Sequence, residues 1–213
     1  MSVVELAACQ VFVREADYGS EEAFDSLLER IGARLGAARA RTESGAFTHP
    51  CLAVFPEMIG AMLPLVGQLD VVRGATTTDG ALARIALRQP LAIARAMAHG
   101  RRLSPSVGFL LANGAEARRR YRDAFARFAG RHDAWVVAGS ALLPANAHGD
   151  LSERFEPEGG RVYNTSYAFA PDGRLVGCTR KVNLVPEVET GLGLTPGEPG
   201  ALEPIATPCH RQR

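Results

Sequence analysis

The 213-residue chain has almost no excess charge: 24 Lys and Arg stand against 23 Asp and Glu, a formal net charge of +1. That removes any general pull toward nucleic acid or an anionic membrane surface. Long hydrophobic runs are also missing. The stretch from Ala134 to Leu143 is among the longest, and it falls well short of the roughly 20 residues that cross a bilayer. No basic segment precedes the apolar amino end, which Glu5 interrupts, so no secretory signal is expected. The four cysteines (Cys9, Cys51, Cys178, Cys209) form no C-x-x-C pair, and the five histidines form no metal-ligand cluster. This spacing argues against a disulfide framework or a zinc site and suits reduced thiols in the cytoplasm. No metal or cofactor is expected. The arginines from Arg118 to Arg122 lack the interleaved aromatic residues that stack on bases, so nucleic acid is not an expected partner.

What is present fits one globular domain spanning residues 1–213. Val3 to Val13 reads as a buried strand. Ser20 is a helix N-cap candidate, followed by Glu21 and Glu22, where the helix dipole favours acids. Phe24, Leu27, Leu28, Ile31 and Leu35 then form an apolar stripe, with Gly36 as a plausible stop. Cys51 to Phe55 is a short apolar run ended by Pro56. A poorly patterned region follows to about Leu111, in which Ala81 to Met97 holds one or two helices broken at Pro90. From Ala115 a helical period returns through Ala117, Tyr121, Ala124, Phe125 and Phe128. Trp135 to Gly139 is a buried strand. Tyr163–Ala170 and Arg174–Val182 form a hairpin, because Pro171 presets the turn dihedral and Gly173 accepts a positive one. The order is that of an α/β sandwich with mixed sheet and packed helices.

Two places could carry chemistry. Leu52-Ala53-Val54-Phe55-Pro56-Glu57 puts a carboxylate just past a buried strand, where sites gather in α/β sheets. Taken alone, Glu57 reads as a solvated turn residue. In Gly177-Cys178-Thr179-Arg180-Lys181-Val182-Asn183-Leu184, strand alternation sets Lys181 on the face of Gly177 and Thr179 and turns Arg180 to the other. One cation can then enter a pocket while its neighbour makes a surface or interface contact. Taken alone, the pair reads as solubilising charge at a strand end.

In combination and in this order, the first strand and helix, Val54-Phe55-Pro56-Glu57, Val136-Val137-Ala138-Gly139-Ser140, Tyr163-Asn164-Thr165-Ser166-Tyr167, Asp172-Gly173 and Arg180-Lys181-Val182-Asn183-Leu184 resemble the nitrilase superfamily of carbon–nitrogen hydrolases. The resemblance covers nearly the whole chain and is weakest between Gly60 and Asn113. It implies a nitrilase-like αββα sandwich of mixed β-sheets flanked by helices, and an enzyme hydrolysing a small amide, nitrile or carbamoyl compound without metal or organic cofactor. It also implies Glu57 as general base, Lys181 as the oxyanion-stabilising cation, and a later glutamate that positions substrate. Glu187 and Glu189 compete for that last role. Glu189 is preferred, because Gly191-Leu192-Gly193-Leu194-Thr195-Pro196-Gly197 resembles the family's following segment. The family's members usually pair into dimers or larger assemblies, so a homo-oligomer is expected.

The resemblance breaks at the nucleophile. The family's cysteine follows the lysine at the end of a later strand, but here only Cys209 follows Lys181. Pro208 directly before it argues against a central strand, so it reads as a tail cysteine. Cys9, Cys51 and Cys178 precede the lysine and read as small buried apolar residues. The nucleophile is thus unassigned, and the domain is expected to be C-terminally incomplete. The alternative function is a non-catalytic remnant or interaction protein that keeps the sandwich.

Overall fold

The computed structural model describes residues 3–201 and 204–205; Cys209 lies outside them. Strand β1 (Glu5–Ala8) leads to helix α1 (Glu21–Ala38) and strand β2 (Cys51–Val54). Three helices follow, α2 (Leu69–Val72), α3 (Thr78–Arg88) and α4 (Pro90–Gly100), and then the 28-residue α5 (Pro105–His132). Strands β3 (Ala134–Val137), β4 (Ala141–Asn146), β5 (Pro157–Phe169) and β6 (Leu175–Arg180) complete the order. All six strands join one mixed sheet. β1, β2 and β3 run parallel, with Ala7 opposite Ala53 and Ala53 opposite Val136. β5 is antiparallel to β3, β4 and β6. Ala168 faces both Val137 and Gly177, and Thr165 faces both Ala141 and Arg180. β3 and β4 therefore lie end to end along one side of β5, with β6 on the other.

The expected mixed sheet flanked by helices is present, as one sheet among the described residues. Alternate residues on β1–β3 explain its two faces. Cys51, Ala53, Ala134 and Val136 are buried with Tyr167 and Phe169 against Phe24, Leu27 and Leu28 of α1 and Tyr121, Phe125 and Phe128 of α5. Phe55 joins this core, its ring 4.9 Å from Phe125 and 5.0 Å from Phe128. The other face carries a second cluster near β4 and β5, where Leu142 and Val162 meet Ile85, Ile93, Val107, Phe109 and Leu194. Over β1–β3 no described residue covers that second face: Leu6 is 77% exposed and Val54 40%.

Helices α1 and α5 run in the same direction. Glu21 pairs with Arg119 and Arg120, Asp25 with Arg127, and Glu29 with Arg131. At the carboxyl end of α5, the His132 ring packs where Gly32 of α1 has no side chain; a Cβ there would sit 1.9 Å from Nε2. Buried Arg39, just past α1, donates to Glu5 at 2.9 Å and to the carbonyls of His49, His132 and Asp133.

Several expected boundaries move. β1 ends at Ala8 rather than Val13, because the last ladder bond is Cys9 N–H to Val54 O and Pro56 then ends the partner. α1 does not stop at Gly36 but continues to Ala38. α5 starts at Pro105, ten residues before the helical period is visible. Ser106 to Leu111 are all buried, so that turn shows no polar face to reveal it. The break at Pro90 is as expected, with proline at the first turn of α4. So is the hairpin turn, where Gly173 adopts φ 81° and Asp172 accepts from the Arg174 N–H. Strand β4 has no sequence-based counterpart, since all six residues are buried and Pro144 sits inside it. No helix among the described residues is long and apolar enough to cross a membrane.

Candidate active site

The site begins at the break between β3 and β4. Gly139 has φ 73°, and a Cβ there would lie 2.1 Å from the Pro56 carbonyl oxygen. Only glycine lets the Pro56–Glu57 turn come this close. Ser140 then holds that turn: its hydroxyl accepts the Met58 N–H at 2.8 Å and its carbonyl accepts the Gly60 N–H at 2.8 Å. Tyr18 donates its hydroxyl to the Ile59 carbonyl at 2.5 Å. Met58 sits at φ 65°, a conformation disfavoured for a side-chain-bearing residue and maintained by these bonds. With Phe55 buried on one side of the turn and Ser140 beneath it, Glu57 emerges on the open face of the sheet.

Lys181 reaches the same place from β6. Its N–H donates to the Asn164 carbonyl at 2.9 Å, extending the β5–β6 ladder by one residue. Its side chain lies with Thr179 on the Glu57 side, whereas Arg180 turns away to Asp150 at 2.7 Å and stacks over Tyr163 at 4.0 Å. The segment after β6 then folds back over β5: Leu194 N–H donates to Glu189 O, and Thr195 N–H to Val162 O. This carries Glu189 under the lysine, with its side chain only 4% exposed.

Lys181 Nζ lies 2.8 Å from Glu57 Oε1 and 2.7 Å from Glu189 Oε2. Glu189 Oε2 also accepts the Val185 N–H at 2.7 Å. Asn164 Nδ2 donates to Glu57 Oε1 at 2.8 Å and to Glu189 Oε1 at 2.7 Å. Of the two competing glutamates, Glu189 is in the cluster. Glu187 is exposed, at φ 63°, with its N–H donating to Thr190. In the sequence Asn164 is one residue of the Tyr163-Asn164-Thr165-Ser166-Tyr167 strand segment, and its position opposite Lys181 across the hairpin is the signal that singles it out.

The electrostatics differ at the three charged groups. Burial pushes the Glu189 carboxyl up, but Lys181, the Val185 N–H and Asn164 outweigh it and hold it below the ordinary range. Hydrogen bonds to Glu189, then Glu57, hold the Lys181 ammonium above its ordinary value. Glu57 is 54% exposed and borders an open depression of about 310 Å³ floored by Phe55, Val137, Ser166 and Thr179. Among the described residues no cysteine lines it. Burial pushes the thiols of Cys9 up to about 11 and Cys178 to about 12, and that of Cys51 up as well. All three therefore remain protonated at neutral pH. Among the described residues no group of three or more His, Cys, Asp or Glu is placed to hold a metal ion.

No family model and no curated protein matches the sequence. Solved structures similar to the chain include a carbon–nitrogen hydrolase from Helicobacter pylori G27, at 16% identity and TM-score 0.48, covering 96% of this chain and 48% of that one. A mutant of the Nesterenkonia AN1 amidase from the nitrilase superfamily is 18% identical with TM-score 0.43, covering 92% and 50%. Saccharomyces cerevisiae Nit3, a member of branch 10 of that superfamily, is 18% identical with TM-score 0.39, covering 92% and 49%. The chain spans about half the length of these solved chains.

Proposed function

We propose that the chain carries the acid–base and oxyanion part of a nitrilase-type carbon–nitrogen hydrolase site acting on a small amide, nitrile or carbamoyl compound. The observation that supports it is the ammonium of Lys181 held between Glu57 and Glu189 at the end of β6. In this reading Glu57 takes the proton of a cysteine thiol, and the thiolate attacks the substrate carbon. Negative charge develops on the substrate oxygen, which the preorganised Lys181 stabilises more than the neutral ground state. The protonated Glu57 then returns the proton to the leaving amine, and water attacks the thioester. Glu189 fixes the lysine and borders the substrate. The thiol comes from outside the described residues. The assembled enzyme is a homo-oligomer in the cytoplasm, with neither nucleic acid nor membrane as a partner.

The test is ammonia release from small aliphatic amides by a form of the protein carrying a nucleophilic cysteine at the cleft. Glu57→Gln and Lys181→Ala should each lower turnover by at least about a hundredfold. Full turnover in either variant removes the assignment. The absence of a cysteine from the cleft among the described residues favours a second reading for the 213-residue chain alone, a non-catalytic sandwich. Acrylamide labelling separates the two: an adduct at one thiol that depends on Lys181 supports catalysis, and slow labelling of every thiol supports the second reading.

A further inference from the structure

Beneath the two carboxylates lies a group that the acid–base reading leaves without a task. Asn164 is 1% exposed, and its single side-chain nitrogen bonds both glutamates. Its oxygen, Oδ1, is buried with no hydrogen-bond partner among the described residues. An orphaned buried acceptor has given up its hydrogen bonds to water without replacement, which is destabilising. Turning the amide over would not relieve it, because the oxygen would then face two carboxylate oxygens. The fold tolerates the orphan in order to keep the NH2 group between the two acids.

We infer that Asn164 is the positioning residue of the site, sharing one amide between Glu57 and Glu189 so that the two carboxylates are set as a coupled pair; calling it a positioning residue rests on the hydrolase reading above. The ring closes through four groups, Asn164 Nδ2, Glu57, Lys181 Nζ and Glu189, with contacts of 2.7–2.8 Å throughout. Asn164 and Lys181 both donate to the same oxygen of Glu57, Oε1. Among the described residues this leaves Oε2 without a donor, as the oxygen open to a proton, and fixes the direction in which it points. Glu189 receives donors on both oxygens, from Asn164, Val185 and Lys181, and is thereby held in its charged form at neutral pH. The backbone carbonyl of Asn164 also accepts the Lys181 N–H, so one residue registers the lysine as well as both acids.

The experiment follows the side-chain NH2 resonances of Asn164 by NMR in the unmodified 213-residue chain across the acid range. The expected result is a pH response of the amide that is lost in Glu189→Gln, and a displaced amide resonance at neutral pH in Glu57→Gln. An Asn164 amide that stays flat while Glu189 titrates, or that does not move in Glu57→Gln, overturns the inference. In Asn164→Ala, the Glu189 carboxylate carbon resonance should show a midpoint raised by about one pH unit, a tenfold change in acidity, and the Glu57 carboxylate carbon resonance should shift at neutral pH, with backbone resonances distant from the site unchanged. A change at Glu189 with the Glu57 resonance unmoved overturns the coupling. If the alanine variant does not fold, the measurement on the unmodified chain decides. Failure of the hydrolase reading appears separately, as amide turnover indifferent to Glu57 and Lys181 while the Asn164 response persists.

Discussion

Glu57 and Lys181 stand out in the sequence as charged groups beside apolar strand ends, and Glu189 enters only through the family resemblance. Asn164 does not stand out by residue type; only its place opposite Lys181 across the hairpin points to it. The pKa directions turn the cluster into a pH dependence. Glu189 is held below its ordinary 4.5, so its contribution to stability is present above that value and is lost as pH falls through the folded-state midpoint. Lys181 is held above 10.5, so its contribution is present below that value and is lost as pH rises past it. Glu189→Gln should flatten the acid limb of a denaturation-versus-pH profile. It should also cost about 1–3 kcal/mol at neutral pH, because the new amide cannot accept from three donors at once. Urea melts from pH 3 to pH 7 check both. Lys181→Met should instead remove the alkaline limb.

At the level of elements, burial decided what could be foreseen. The hairpin of β5 and β6 announced itself through Pro171-Asp172-Gly173, and α1 through Ser20, whose hydroxyl accepts the Ala23 N–H at 3.2 Å. Ser20→Ala should cost about 1 kcal/mol in a chemical melt. The first turns of α5 and all of β4 are surrounded by protein, so they lack the polar–apolar alternation that marks an element facing water. The break between β3 and β4 matters most, because it is where the Glu57 turn enters. Gly139→Ala should cost about 1–3 kcal/mol from its positive φ alone. It should also push the Pro56 carbonyl away and so disturb the Glu57 carboxylate resonance more than the Glu189 one. NMR with labelled glutamate reads that difference directly.

Among the described residues, one sheet face is covered by α1 and α5 while the other is bare along β1–β3. Leu6 and Val54 stand on that bare face, and Leu52, Trp135 and Val137 are only half covered. An apolar surface of this kind marks a contact face. The chain should therefore sediment as more than a monomer at micromolar concentration, and Leu6→Lys with Val54→Lys should shift it toward monomer. The covered face raises a different matter, that of alignment. A row of acids four residues apart opposite a row of arginines resembles a vernier that has been left unclamped. Exposed pairs contribute only about 0–1 kcal/mol each, so the row by itself fixes the register weakly. The notch at Gly32 is what locks the scale, because the imidazole of His132 seats at that one position along α1. Filling the notch with a single methyl group in Gly32→Ala should therefore destabilise the protein more than deleting any one of the surface ion pairs beside it.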